Sequence, residues 1–486
     1  MDKLKILILA AGESTRMKSE TTKLLFPVCG RPIIEYILQT LRALMPEEII
    51  LVVGHQSENI IRFLKQRAEI TRNGRITRNG RITMSAGRIT LRFVLQKNQS
   101  GTGDAVQSAK RFLRNFRGHI LIMCGDTPLI TKNTLKYFLS KHVKSGSDLT
   151  LLIAHLKNSY GYGRIIRDRN NALVRVCEEA DLPDGLKSVT EVNTGFYLCR
   201  NNGFFWKAVD GLKKNPVKGE YYFTDVIERF SAAGKKMCAV GTDNADEVLG
   251  INTRKDLASA EKIMRQRINE KHMLAGVTMV DPGNTYIDEP VRIGRDTVIS
   301  PCVTLRGKTK IGKNCFIGQG SFIEDSIIED NVHIRCAFIY GSRIKKGTKV
   351  GPFSHIRPGS VVGESARIGN FVEVKKSFIG KNTKVSHLSY IGDSLLEENI
   401  NVGAGAITCN FDGFKKHKTH IGKNTFVGSN VNLIAPVKVG RGSIIGAGST
   451  ITKDVPPESL AIARERQVVK PLRFLKKIIR QNKRTG

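Results

Sequence analysis

At 486 residues the chain has room for two or three domains with sizeable cores. With 40% hydrophobic and 25% charged residues it reads as a soluble globular protein, and no apolar run reaches the roughly 18 residues of a membrane span. The net charge of +34 is compatible with nucleic acid, an anionic membrane or strongly anionic substrates. No DNA-binding motif or aromatic-interleaved basic stripe accompanies it, so nucleic acid is not an expected partner and the spread of Lys and Arg reads mostly as a solvated basic surface. Nine cysteines, odd in number and without a C-x-x-C pair, argue against a disulfide framework or a zinc site and for reduced thiols in the cytoplasm.

The run Leu4 to Ala11 follows a lysine, as in a signal peptide, but it is short and leads into a glycine loop, so it reads as a buried first strand. The loop is Gly12-Glu13-Ser14-Thr15-Arg16-Met17. A strand feeding such a turn is how α/β proteins present backbone N–H groups to phosphate. The strict dinucleotide fingerprint is missing, because Ser14 stands where a second glycine would be. Arg16 and Lys23 flank the loop as cations suited to a nucleoside triphosphate; the alternative is two surface charges. A helix over 32–44 and a strand over 48–53 follow. At 70–90 the unit R-N-G-R-I-T recurs in tandem with Asn-Gly turn signals, and the expectation there is a surface loop or irregular hairpin without a catalytic part. The apolar strand from Ile120 ends at Gly125-Asp126. A carboxylate at the C-terminal edge of a parallel strand can hold Mg²⁺ against a triphosphate; a capping role before Pro128 is the alternative. Thr253 caps a helix carrying Leu257, Ala260, Met264 and Ile268 on one face, with Gly276 beyond its end.

The opening L-A-A-G-x-x-T-R-M, then Lys23 and Gly30-Arg31-Pro32, resembles that of the sugar-1-phosphate nucleotidyltransferases. The resemblance implies that Leu9, Ala10, Ala11, Gly12 and Lys23 bind the nucleotide. It implies too that Gln96, Gly101 and Thr102 read the uracil edge, although the family's usual histidine is here Asp104. Gly163, Glu178 and Asn193 fall at the family's hexosamine site, Glu220 to Asp225 matches its E-Y-Y-x-T-D, and Asn252 falls at the second Mg²⁺ ligand beside Asp126. Ser14 and Thr22 replace the more usual glycine and proline.

From Ile287 to about Val455 an aliphatic residue recurs every six positions: Ile287, Ile293, Ile299, Leu305, Ile311, Ile317 and Ile323, then, after slips of one, Ile328 through Val374 and Ile379 through Ile391. The frame breaks and returns at Ile421, Val427, Leu433, Val439, Ile445 and Ile451. Four places after most of these stands a small or β-branched residue, such as Ser354, Ala366 or Thr425. Period six fits neither helix nor simple strand alternation; it is the signature of a parallel β-helix of hexapeptide repeats, three hexads to a coil with the aliphatic residue inward. Val385 and Ile391 are inward, so His387 lies outside the prism. Arg357, Lys375, Tyr390 and Asn401 are also off the inward register, and together they read as a cationic pocket around a neutral base. The break at 403–420 reads as a basic loop leaving the prism. The tail places Leu472, Leu475, Ile478 and Ile479 at helical spacing; packing on an oligomer or disorder is favoured there over membrane contact.

With G-A-G-x-I-T-C-N at 403–410, H-L-x-Y from His387 and R-P-G from Arg357, nearly the whole chain resembles the bacterial family of bifunctional N-acetylglucosamine-1-phosphate uridylyltransferases / glucosamine-1-phosphate N-acetyltransferases. The implied fold class is an α/β, Rossmann-like nucleotidyltransferase domain followed by an all-β left-handed parallel β-helix. The expected division is 1–253 for uridylyl transfer, 254–276 as a connecting helix, 277–470 for acetyl transfer and 471–486 as a basic tail. The resemblance makes His387 the general base, puts Arg357, Lys375, Tyr390, Asn410 and Lys416 at glucosamine 1-phosphate, and lines the acetyl-CoA site with Asn401, Ala404, Asn410, Phe411, Ser429, Ala447 and Arg464. Phe411 replaces the more usual tyrosine. Arg16 and Lys23 become catalytic cations toward pyrophosphate, and Mg²⁺ sits on Asp126 and Asn252. Acetyl-CoA and UTP are implied co-substrates, and a homotrimer is the implied assembly. The rival reading is a monofunctional nucleotidyltransferase whose β-helix is structural or regulatory.

Overall fold

The computed structural model describes residues 3–12, 14–54, 57–70, 75–76, 81–84, 89–469 and 471, with backbone alone over 68–89. Glu13, most of the repeated unit between 71 and 88, and the tail beyond 471 lie outside the described residues. The chain divides into two compact units, Met1–Arg265 and Gln266–Gly486.

The first unit is an α/β sheet whose central strands are parallel. Leu4–Ala10 lies between Glu48–Val53 and His119–Cys124, and Ile89–Leu95 pairs with Glu48–Val53, all in parallel register. These strands are nearly continuous apolar runs because both faces are covered. Leu7, Ile50, Val52, Ile120 and Ile122 join one core with the helices Thr102–Leu113, Gly203–Asp210 and Asp225–Ala232. Their neighbours Ile6, Ile8, Ile49 and Leu51, which point the other way, are equally buried. Beyond Ile89–Leu95 the sheet continues antiparallel through Arg81–Met84 and Arg75–Ile76. The described parts of the repeated segment therefore add edge strands to the sheet.

The helix Arg254–Leu274 begins with a reciprocal capping box. Asp256 N–H donates to Thr253 Oγ1 at 3.2 Å, while Asp256 Oδ2 accepts from the N–H groups of Asn252 and Thr253 at 3.0 and 2.8 Å. Ala260, Met264 and Ile268 are buried, with Leu257 partly so.

The second unit is a left-handed β-helix of three parallel sheets, with eleven, ten and nine short strands. Equivalent inward residues stack coil upon coil, as in Ile299, Ile317, Ile334, Val350, Ile368, Val385, Val402, Val427 and Ile445. Every aliphatic residue that the period marks as inward is buried except Ile293, which is half-buried near the start of the prism. The small residues four places on are buried at the corners. Their hydroxyls donate to carbonyls of the next coil: Ser354 Oγ to Gly369 O at 2.6 Å, Thr383 Oγ1 to Glu397 O at 2.8 Å. A Cβ on Gly369 would stand 2.0 Å from Ser386 O, so that corner admits only glycine.

The expected break at 403–420 is shorter than the period suggests. Leu396, Val402 and Thr408 are inward and buried, and the strands Asn401–Val402 and Ile407–Cys409 keep residues 401–409 in the coil. A one-residue slip at Leu396 and a threonine at an aliphatic position hide these hexads. The chain leaves the prism only after Cys409, forms an antiparallel bridge between Phe411 and Lys416, and rejoins at Thr419–Ile421.

Candidate active sites

In the first unit, Gly12 and Ser14 follow the strand Leu4–Ala10. Ser14 is left-handed (φ 59°), a conformation glycine adopts without cost, and it precedes the turn Thr15–Met17. Arg16 Nη2 donates to Asn252 Oδ1 at 3.0 Å. Lys23 Nζ donates to Asp126 Oδ2 at 2.5 Å and to Asn252 Oδ1 at 3.2 Å. The structure thus brings Arg16, Lys23, Asp126 and Asn252 together at the C-terminal ends of the parallel strands. Asn252 is held from behind by the Asp256 carboxylate at its own N–H. Burial pushes the Cys124 thiol, close to Asp126, up to about 12, so it is a silent neighbour.

Gln96 directly follows the strand Ile89–Leu95, and its N–H donates to Val53 O at 2.8 Å. Gly101 has φ +98°, and a Cβ there would meet Tyr221 O at 2.6 Å. Thr102 Oγ1 accepts from Phe223 N–H at 2.9 Å, so the 220–225 segment is docked on the glycine turn. Among the residues expected at the sugar, Asn193 N–H donates to Gly163 O at 2.8 Å, and a Cβ on Gly163 would come within 3.1 Å of Glu178 Oε2. Asn193 Nδ2 donates to Tyr197 Oη at 2.7 Å, and Thr224 Oγ1 donates to Glu178 Oε1 at 2.8 Å. Burial raises the Glu178 carboxyl above the usual range, partly offset by that hydroxyl. Tyr197 and Asp256 were not singled out by the sequence; Thr224 was visible within the 220–225 motif.

In the second unit, His387 is exposed at the end of the strand Lys384–His387. Its Nδ1 lies 2.7 Å from Oδ1 of Asn370, its ladder partner one coil back. An amide oxygen can only accept, so Nδ1 carries the hydrogen and Nε2 presents its lone pair outward. The same corner continues upward: Gly405 N–H donates to Leu388 O, Asn430 N–H to Ala404 O, Gly448 N–H to Ser429 O and Arg464 Nη1 to Ala447 O, at 2.7–3.1 Å. Ala404, Ser429, Ala447 and Arg464 therefore form one stripe above His387, whereas Asn401 starts the strand Asn401–Val402 and pairs with Lys384, three residues before His387. Glycines at 403 and 428 let the coils approach closely, since a Cβ there would meet Ser429 N or Ala447 N at 2.6 Å.

Around the next corner stand the cations. Arg357 Nη1 donates to Glu373 Oε1 at 2.9 Å, Lys375 Nζ lies 3.5 Å from Asp393 Oδ2, and Asn410 Nδ2 donates to the same Oδ2 at 2.5 Å and to Tyr390 Oη at 3.4 Å. Contact with the Lys375 ammonium and desolvation lower the pKa of Lys416, with Arg357 adding to the effect. Lys416 Nζ sits 5.2 Å over the ring of Phe411. Asn370, Glu373 and Asp393 were missed by the sequence reading; the hexad frame could have placed Asn370 beside His387.

A parallel sheet with this loop, followed by a hexapeptide β-helix with a histidine and a cation cluster on its outside, defines a nucleotidyltransferase joined to a second transferase. The family comparisons agree. Residues 5–265 match the nucleotidyl transferase family, residues 341–376 and 418–453 the bacterial transferase hexapeptide family, and residues 308–335 the hexapeptide repeat of succinyl-transferase. Over 464 residues the chain is 44% identical to the bifunctional protein GlmU of a Geobacillus species (strain WCH70) and 43% identical to that of Streptococcus agalactiae serotype V, covering 96% of each chain. It is 42% identical over 467 residues to bifunctional GlmU of Listeria monocytogenes serotype 4a, covering 96% of this chain and 97% of that one. The chain belongs to the bifunctional GlmU family, so it is both a glucosamine-1-phosphate N-acetyltransferase and a UDP-N-acetylglucosamine diphosphorylase, using acetyl-CoA and UTP. The monofunctional alternative is not favoured. Among the described residues no helix is long and apolar enough to cross a membrane.

Proposed function

We propose that the residues brought together in each unit carry these two reactions as follows. In the second unit, Arg357, Lys375 and Lys416 hold the phosphate of glucosamine 1-phosphate, with Tyr390 and Asn410 against the sugar. The stripe of Ala404, Ser429, Ala447 and Arg464, with Asn401 and Phe411, receives acetyl-CoA. His387 Nε2 takes the proton as the sugar amine attacks the thioester carbonyl; the C–S bond breaks with its electron pair leaving on the CoA thiolate, and the amide forms. The observation that carries this reading is the Asn370-bonded His387, whose free Nε2 points outward at the foot of that stripe.

In the first unit, a phosphate oxygen of N-acetylglucosamine 1-phosphate attacks the α-phosphorus of UTP in line, with pyrophosphate leaving. Leu9 to Gly12 cradle the triphosphate, Arg16 and Lys23 stabilise the charge on the leaving group, and Gln96, Gly101 and Thr102 hold the base. Gly163, Glu178 and Asn193 position the sugar. Asp126 and Asn252 suit Mg²⁺, because their oxygens already converge on one cation, Lys23 Nζ. Two hard oxygen ligands leave room for waters and phosphates, and the ion would offset phosphate charge. Assembly as a homotrimer and a cytoplasmic location complete the proposal; nine free thiols fit a reducing compartment.

The test is purified protein with acetyl-CoA, glucosamine 1-phosphate, UTP and Mg²⁺. UDP-N-acetylglucosamine and pyrophosphate are the expected products. His387→Ala should abolish acetylation and spare uridylyl transfer, while Asp126→Ala should do the reverse. Equal losses of both activities in either variant would refute the division of residues between the reactions.

A further inference from the structure

Asp104 stands where the family resemblance leads one to expect histidine, and its contacts give it a task. Gln96 is 4% exposed. Its Nε2 donates to Gly101 O at 3.0 Å and to Asp104 Oδ2 at 2.7 Å. A carbonyl and a carboxylate can only accept, so together they fix which end of the amide is nitrogen. Turned over, the amide would set its oxygen against two others. Asp104 is held in turn, since Ser100 N–H reaches the same Oδ2 at 3.3 Å. Both side-chain N–H groups of Gln96 are thus engaged, and Oε1 is the one unengaged polar atom of the side chain, with no donor bonded to it among the described residues.

We propose that Asp104 is a positioning residue for nucleobase selection. By holding Nε2 it presents Gln96 Oε1 to the base as an acceptor only. A pyrimidine with a hydrogen on N3, as in uracil, satisfies that acceptor; cytosine, whose N3 is itself an acceptor, meets it with a lone pair. A site built to receive a hydrogen bond discriminates strongly against a partner that cannot supply it. The proposal rests on the reading that Gln96 faces the base.

The experiment compares UTP and CTP as substrates for the wild type and for Asp104→Ala, Asp104→Asn, Asp104→Lys and Gln96→Ala, with the KM for N-acetylglucosamine 1-phosphate and the melting temperature followed in each. Asp104→Ala should lower the UTP-over-CTP preference about tenfold, chiefly through the KM for UTP, and leave the sugar phosphate's KM unchanged. Asp104→Asn, which keeps an acceptor oxygen, should recover most of the preference. Asp104→Lys puts a donor in place of the acceptor and should reproduce the loss even if the alanine variant fails to fold. Gln96→Ala should lose at least as much preference as Asp104→Ala. If Gln96→Ala keeps the preference, the base-site reading itself falls. If Gln96→Ala loses it while the Asp104→Ala and Asp104→Lys variants keep it, only the role of Asp104 is overturned. A joint rise in both KM values that Asp104→Asn does not recover marks a merely structural residue and overturns the role as well.

Discussion

The bond between His387 Nδ1 and Asn370 Oδ1 makes a quantitative demand on acetyl transfer. At 2.7 Å it fixes the imidazole tautomer and the plane of the ring. Asn370→Ala keeps the base but releases both constraints. His387 is exposed, so water can replace the lost partner and the cost is that of a hydrogen bond in solvent, about 1–1.5 kcal/mol, or roughly tenfold in kcat. His387→Ala removes the proposed base itself, and general-base catalysis is typically worth about 10² to 10⁴. The ordering wild type, Asn370→Ala, His387→Ala should therefore appear in kcat, with the KM for acetyl-CoA nearly constant. The assay is formation of N-acetylglucosamine 1-phosphate followed by mass spectrometry, because accessible free thiols such as exposed Cys302 would react with a disulfide reagent. Uridylyl transfer by the same variants is the control. A kcat unchanged in Asn370→Ala, or a loss confined to KM, would refute the orienting role.

Lys375→Ala and Lys416→Ala should each raise the KM for glucosamine 1-phosphate about tenfold or more, since each removes a charge-assisted contact. Because Lys375 lowers the pKa of Lys416, Lys416 loses its charge at lower pH than an ordinary lysine, and that KM should rise earlier on the alkaline side in wild type than in Lys416→Arg. Asp126→Asn should cut uridylyl transfer about 100-fold or more and weaken its dependence on added Mg²⁺, leaving acetylation intact. His142 is 1% exposed, and burial, with His119 and Arg200 adding to it, lowers its pKa to about 3. Below pH 6.5 the unfolded chain binds a proton that the folded His142 refuses, so stability falls as pH drops from about 6.5 toward 3. Urea titrations should show about 3 kcal/mol more lost between pH 7 and 4.5 in wild type than in His142→Gln. Ile368→Ala, at a fully buried position of the prism, should cost about 2–4 kcal/mol.

Where an element is written in a period or at a chain end, the sequence reading placed it closely. The six-residue frame marks the inward column almost to the residue, and the same frame puts His387 outside. Thr253 stands at a helix start because its hydroxyl and Asp256 satisfy each other's N–H groups, a purely local pattern. Legibility ended where geometry depends on a slip. The coil carrying Val402 and Ala404 was lost because Leu396 comes one place early and Thr408 is polar. The anchoring acids were lost for a related reason. Glu373 reaches Arg357 and Asp393 reaches Lys375 across coils, so each pairing depends on every slip between the two residues. Asp104 was visible only as a departure, because its meaning lies in a bond to Gln96 across a turn.

Those acids suggest why both reactions use the same electrostatic device. Three of the five cations assigned to a phosphate are already paired with a carboxylate: Lys23 with Asp126, Arg357 with Glu373 and Lys375 with Asp393; Arg16 bonds the Asn252 amide and Lys416 lies against Lys375. An unpaired cluster of like charges would repel itself and spread its long side chains among many rotamers, and that ordering would then oppose substrate binding. Pairing with a carboxylate sets the side chain in place beforehand. An arriving phosphate then exchanges one anionic partner for another with little reorganisation. The exchange favours phosphate because it offers three oxygens to several donors at once, whereas the Arg357–Glu373 pair is half exposed and worth little by itself. Removing the acid should therefore weaken binding, although it removes a competitor. Asp393→Ala is the discriminating variant. If Asp393 only competes, the KM for glucosamine 1-phosphate falls; if it holds Lys375 and Asn410 in place, as the distances of 3.5 and 2.5 Å imply, the KM rises.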